Sequence, residues 1–159
     1  MIFLTLGSQK FQFNRLLISI DKLIKDGKLK TKVFAQTGYS DYEPANFDYK
    51  RFLNQEEFQK IMEQCDLVIT HGGTGAIITA LKNKKKVIGV PRLSKYHEHV
   101  DDHQIQIVEE FSKINLIEPC YEVESLTNVL EKVQKKKYDQ FHSNTIEIIK
   151  FLEKYIEEI

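Results

Sequence analysis

The stretch from Cys65 to Arg92, CDLVITHGGTGAIITALKNKKKVIGVPR, constrains the fold more than any other part of the chain. Asp66 to Thr70 is a short run rich in β-branched residues, the kind buried in a parallel sheet. His71-Gly72-Gly73-Thr74-Gly75 is too rich in glycine to continue it. Ala76, Ile77, Ala80 and Leu81 then draw one apolar stripe at helical spacing. Val87 to Val90 opens a second strand, which Pro91 stops. The stretch predicts strand, glycine loop, helix and strand, a βαβ unit.

A helix that starts at such a loop presents unpaired backbone N–H groups and the positive end of its dipole, so it suits a phosphate or diphosphate. The same glycines also serve a plain strand-to-helix turn, and the loop alone does not separate the two readings. Two familiar nucleotide motifs are excluded. A P-loop needs lysine and Ser/Thr after its last glycine, where Ala76-Ile77 stand, and a dinucleotide fingerprint needs a small residue at Ile78.

The rest of the chain repeats the alternation. Ile2 to Leu6 reads as a first strand, Gly7-Ser8-Gln9 as a loop, and Phe13, Leu16, Leu17, Ile20 and Ile24 as one helical face ended at Asp26-Gly27. Thr31 to Gln36 is a second strand and Thr37-Gly38 turns it. A polar loop from Tyr39 to Asn46 leads to a short strand within Phe47 to Leu53. Glu56 to Gln64 is a helix with Phe58, Ile61 and Met62 inward. After Pro91, Arg92 to Val100 shows no apolar period and reads as a binding loop. Asp101 or Asp102 should cap the next helix, with Ile105, Val108 and Phe111 buried. Asn115 to Ile117 is expected as the last strand, Leu126 to Val133 as a helix, and Phe141 to Ile159 as a long closing helix. Strands alternating with helices predict an α/β fold, a doubly wound parallel sheet covered on both faces.

Residues 1–159 suit a single domain at 42% hydrophobic content. With 23 basic and 23 acidic residues the net charge is zero, so no whole-molecule attraction to nucleic acid is expected. The lysine runs 84–86 and 135–137 fall where helices should end, and there they complement the helix dipole. Cys65 and Cys120 match no metal or redox spacing and read as reduced and buried. The N-terminus lacks a basic leader, and no run approaches the roughly 18 apolar residues of a membrane span.

Three loops should converge on the carboxyl edge of the sheet: Gly7 to Lys10, His71 to Gly75, and Arg92 to Gln104. Together they make a site for a phosphorylated small molecule. His71 ends a strand beside the phosphate loop and is a candidate base, or a residue that hydrogen-bonds the turn or the ligand. HEHVDDH, with His97, His99, Asp101 and His103, is similar to the zinc cluster of metallo-β-lactamase-type hydrolases but departs from it at Asp102. His99 and His103 stand at i and i+4, which permits a two-histidine contact. That falls short of a closed ligand set, and no metal is expected.

DLVITHGGTGAIITAL, VIGVPR and EHVDDHQ, in this order, resemble the C-terminal, donor-binding half of glycosyltransferase family 28. MIFLTLGSQKFQFNRL and QTGYSDYEP are similar to its small stand-alone subunits, which act in two-component transferases of capsule and exopolysaccharide synthesis or of lipid-linked N-acetylglucosamine addition. The resemblance implies a Rossmann-like half of a GT-B enzyme. It would be an inverting, UDP-sugar-dependent hexosyl- or N-acetylhexosaminyltransferase subunit, with no cofactor and no metal for the diphosphate.

It also implies a membrane-associated partner subunit that binds a lipid-linked saccharide acceptor, and a cytoplasmic location, peripheral to the membrane through that partner. A non-catalytic enhancer subunit is the alternative. By position, Gly72, Gly73, Thr74 and Gly75 would meet the diphosphate, and His103 and Gln104 the sugar or ribose. Gly7, Ser8 and Gln9 would face the cleft, with His71, Arg92 and Glu98 as further contributors. Thr79 stands where many members carry a ribose-binding glutamate, and threonine offers one hydrogen bond in place of a bidentate grip.

Overall fold

In chain order the elements are β1 (Ile2–Thr5), α1 (Asn14–Lys25), β2 (Val33–Gln36), β3 (Asp48–Lys50), α2 (Gln55–Gln64), β4 (Leu67–His71), α3 (Thr74–Lys82), β5 (Lys86–Val90), α4 (His103–Lys113), β6 (Glu118–Pro119) and α5 (Leu126–Lys135). They are taken from a computed structural model that describes residues 1–143 and residue 150. The described strands form one sheet in the order β3-β2-β1-β4-β5-β6, parallel at every pairing.

Residue alternation along the strands explains the two layers of helices. In β1 and β4, Leu4 and Ile69 face one core with Leu16, Leu17 and Ile20 of α1 and Leu126 and Val133 of α5. Phe3 and Val68 face the other, with Met62 of α2, Ile77 and Ala80 of α3, and Val108 and Phe111 of α4. Strands covered on both faces have no polar side to offer, which is why their sequences read as continuous apolar runs. At the start of α2, Asn54 and Glu57 form a reciprocal capping box.

Several expectations need correction. The last strand is Glu118–Pro119 rather than Asn115 to Ile117, because Asn115 takes a left-handed turn (φ 57°) and Leu116 N–H donates back to Phe111 O, closing α4. On α4 the buried face is Gln104, Ile107, Val108 and Phe111, with Ile105 only half-buried. Asp102 holds the N-cap position, yet its carboxylate accepts from Ser94 N–H (2.7 Å), and Asp101 takes the N–H of His103 (3.1 Å). Phe141 to Ser143 are not helical, and the remainder of the expected closing helix, apart from Lys150, lies outside the described residues.

The lysine runs do serve helix ends: Lys135 lies in the last turn of its own helix α5, as expected, whereas Lys85 and Lys86 serve neighbouring helices. Lys85 Nζ donates to Glu63 O and Cys65 O at the end of α2, and Lys86 Nζ donates to Val133 O, Gln134 O and Lys136 O at the end of α5. Lys136 joins Lys132 and Tyr138 around the buried carboxylate of Glu118. Both cysteines are free and buried, and burial pushes the Cys120 thiol up to about 11.

Candidate functional site

The strand order reverses direction between β1 and β4, so the loops that leave these two strands part to opposite faces and open a crevice at the carboxyl edge. From β1 comes the Gly7 to Lys10 loop, with Ser8, Gln9 and Lys10 exposed. From β4 comes His71 to Gly75, and from β5 the segment that ends at α4. The convergence expected from the sequence is therefore present.

At α3 the helix begins after Gly73, and no side chain caps it. The first turn leaves the N–H groups of Thr74, Gly75 and Ala76 without helical partners, and a Cβ on Gly75 would meet nothing within 4 Å. This start is open to a ligand. The other glycines of the loop serve packing. A Cβ on Gly73 would stand 2.2 Å from His71 Nε2, and one on Gly72 would stand 2.7 Å from Gln104 Cβ. Gly7 adopts φ +74°, and a Cβ there would stand 2.7 Å from His71 Cε1, so two glycine backbones pack against the imidazole.

His71 is buried, and Thr70 sits beside it with its hydroxyl donating to Thr5 O (3.0 Å). That hydroxyl has one proton, so its 3.3 Å contact with His71 Nδ1 takes the imidazole as donor and leaves the lone pair on Nε2. Burial, with the nearby Arg92 guanidinium, pushes His71 down to about 4. It is a neutral hydrogen-bonding group at physiological pH and a weak proton acceptor. That favours the turn or ligand role over base catalysis.

Three expected ligand contacts are committed to the protein itself. Gln104 is buried, and its Oε1 accepts from the N–H groups of both Gly72 and Arg92 at 3.0 Å, which ties the β4 and β5 loops to the start of α4. Arg92 is 1% exposed and donates to the carbonyls of Leu6, Phe11, Gln12 and Glu98. Its Nε has no partner among the described residues, and burial lowers the guanidinium to about 10. Glu98 is fully buried, takes a forked contact from Arg15 (2.9 and 3.0 Å) and accepts Leu93 N–H.

Arg92 and Glu98 thus hold the loops together from beneath and do not reach into the crevice. Thr79 lies one turn into α3 and donates its hydroxyl to Gly75 O (2.7 Å). His103, at the first position of α4, is hydrogen-bonded to Asp101.

The sequence reading missed Arg15, which also lies over the rings of Phe13 and Tyr96, and Ser40, which caps Phe13 N–H at 2.9 Å. It also missed Gly38, whose φ of +60° lets the β2 loop rest against Gly7 O. Only Thr37-Gly38 left a signal, as a turn. The partners lie too far away in sequence to be paired by spacing.

A family model described as "Glycosyltransferase family 28 C-terminal domain" matches residues 1–159. The chain belongs to this glycosyltransferase family. Among curated relatives, the "UDP-N-acetylglucosamine transferase subunit ALG13" of Candida albicans is 30% identical over 112 residues, covering 69% of this chain and 34% of the relative. The family 28 chain thus spans about a third of that relative's length.

Among solved structures, ALG13 in solution aligns with a TM-score of 0.60 at 20% identity over 93% of both chains. MurG of Acinetobacter baumannii aligns at 0.57 and 20% over 84% of this chain and 41% of its own. SnogD of Streptomyces nogalater aligns at 0.62 and 20% over 84% and 34%. These structures share the fold, a Rossmann-like layer of a glycosyltransferase.

Proposed function

We propose that residues 1–159 form the donor-binding domain of an inverting, UDP-sugar-dependent hexosyl- or N-acetylhexosaminyltransferase. The observation that carries this reading is the uncapped start of α3 at the β1/β4 crevice, with Gly75 facing open space. The diphosphate sits on the N–H groups of Thr74 to Ala76, where the helix dipole and amides stabilise the charge that develops on the leaving group. The acceptor hydroxyl oxygen bonds to the anomeric carbon as the bond to the diphosphate oxygen breaks, and that electron pair leaves with UDP. No metal is needed for this step, because the amides supply the positive field.

The hydroxyl proton needs a base. His71, enclosed and with its basicity lowered by burial, is poorly suited, so the base is placed on a membrane-associated partner that also holds a lipid-linked saccharide. This makes the chain one half of a heterodimer of capsule or exopolysaccharide assembly. No helix among the described residues is long and apolar enough to cross a membrane. On this reading the partner holds the chain at the cytoplasmic face. The Candida relative, named as a subunit of a UDP-N-acetylglucosamine transferase, supports both the donor class and the shared assembly. A second reading, a non-catalytic enhancer, is favoured by Thr79, whose hydroxyl is already spent on Gly75 O.

Calorimetric titration with UDP, UDP-glucose, UDP-galactose and UDP-N-acetylglucosamine, with and without chelator, tests the proposal on wild type and Gly75→Asp. Gly75 has room for the side chain, and an acid near a helix start stabilises it by roughly 0.3–1 kcal/mol. The variant should keep its melting temperature and lose at least tenfold in UDP affinity, while one sugar binds better than the rest. Equal affinity in wild type and variant would remove the diphosphate from α3. Absence of nucleotide binding by a folded wild type would favour the enhancer.

A further inference from the structure

One cluster of metal-ligating side chains lies beside the crevice, in the segment that joins β5 to α4. His99 Nδ1 is 3.3 Å from Asp101 Oδ1, and His103 Nδ1 is paired with the same oxygen. The two imidazoles meet edge to face with centroids 4.7 Å apart, and one ligand atom from each of the three residues falls within 4.8 Å of the others. We propose that His99, Asp101 and His103 form a binding site for a divalent transition-metal ion, with zinc the best fit.

The geometry supports this in three ways. First, His99 Nδ1 and Asp101 Oδ1 stand 3.3 Å apart, close to the roughly 3.3 Å between two ligands on a tetrahedral ion with bonds of roughly 2.0–2.1 Å, while His103 Nδ1 is hydrogen-bonded to the same carboxylate and gives up that contact when an ion enters. Second, the ligands are held: the Phe11 ring packs on His99 at 5.0 Å, Asp101 accepts His103 N–H, and His103 is fixed by α4. Third, access is graded. The side chains are 9%, 30% and 57% exposed at His99, His103 and Asp101, so an ion enters from solvent and a fourth position stays open to water or an anion. Two imidazoles and one carboxylate suit zinc, nickel or cobalt better than magnesium or calcium.

His97, exposed and in a left-handed turn, is no part of the group. The sequence grouped Asp101 with these histidines only through a zinc-cluster likeness that breaks at Asp102, and the structure sets its carboxylate against both His99 and His103. The ion would staple the end of the β5 loop to the start of α4. The open α3 amides remain a separate feature, so this proposal does not depend on the donor reading.

The test uses the untagged full chain, stripped with chelator, titrated by calorimetry with zinc and with magnesium, and with cobalt followed by visible absorption. Wild type should take up one zinc per chain, show cobalt bands of a four- or five-coordinate ion, and ignore magnesium. Asp101→Asn and His103→Gln should each weaken zinc at least tenfold, while His97→Gln leaves it unchanged. No uptake, or uptake that survives both Asp101→Asn and His103→Gln, overturns the site. Circular dichroism verifies folding. Asp101→Asn, at an exposed side chain, carries the decision should the histidine variant unfold.

Discussion

An imidazole packed against the backbones of Gly7 and Gly73 is largely cut off from water, and its proton equilibrium shows it. With a folded value near 4 against the ordinary 6.5, His71 binds its proton more readily in the unfolded chain. Its contribution to stability is full above pH 6.5 and is lost as pH falls from there towards 4, by about 3 kcal/mol at the limit. Urea unfolding at intervals between pH 4 and 7 should show this slope, and His71→Gln should flatten it by a similar amount. A slope unchanged in the variant would place the acid sensitivity elsewhere.

Gln104 is the second test at this scale. Its carbonyl oxygen serves two buried N–H groups, so Gln104→Ala strands both, at about 1–3 kcal/mol each. A fall of roughly 5–15 °C in melting temperature is expected. A direct sugar contact would instead weaken the donor and leave the melt unmoved. The sequence showed Gln104, Arg92 and Glu98 to be polar and near the site. It could not show that they face inward, because their partners Gly72, Leu6 and Arg15 lie 32, 86 and 83 residues away.

Among the elements, β4, α3 and β5 were the most legible, since their glycines, stripe and proline all lie within one short span and agree with one another. The end of α4 was not, because Asn115 turns left-handed where the apolar Leu116-Ile117 suggested a strand. The lysine runs were half legible: Lys135 ends its own helix α5 as read, whereas Lys85 and Lys86 serve other helices. Cations do belong at helix ends, but which helix is a matter of packing. Lys86, at the start of β5, supplies donors to three carbonyls at the end of α5, so Lys86→Met should leave them short of partners and lower stability by about 1–2 kcal/mol. Hydrogen exchange should rise first in α5. Exchange that rises evenly throughout would argue against a local cap.

For the molecule as a whole, strand alternation alone predicted the doubly wound sheet, whereas its 3-2-1-4-5-6 order emerged only in three dimensions and fixes the crevice between β1 and β4. On the proposed two-subunit reading, the purified chain with a UDP-sugar and lipid-linked acceptors should form no product, and membranes carrying such a partner should restore transfer. Turnover by the isolated chain would place the base within it. Sheet polarity also sets which parts of the surface lie away from the crevice. Met1, whose amino group pairs with Asp66, and the Asp139 to Phe141 segment, packed near Lys84 to Lys86 and Leu116, both lie at the amino ends of the strands. A fluorescent reporter or surface tether attached to the side chain of a residue substituted at Gln140, or at Met1, would therefore leave by the far side and keep the carboxyl-edge mouth unobstructed, so labelled and immobilised forms should bind nucleotide as the unattached chain does.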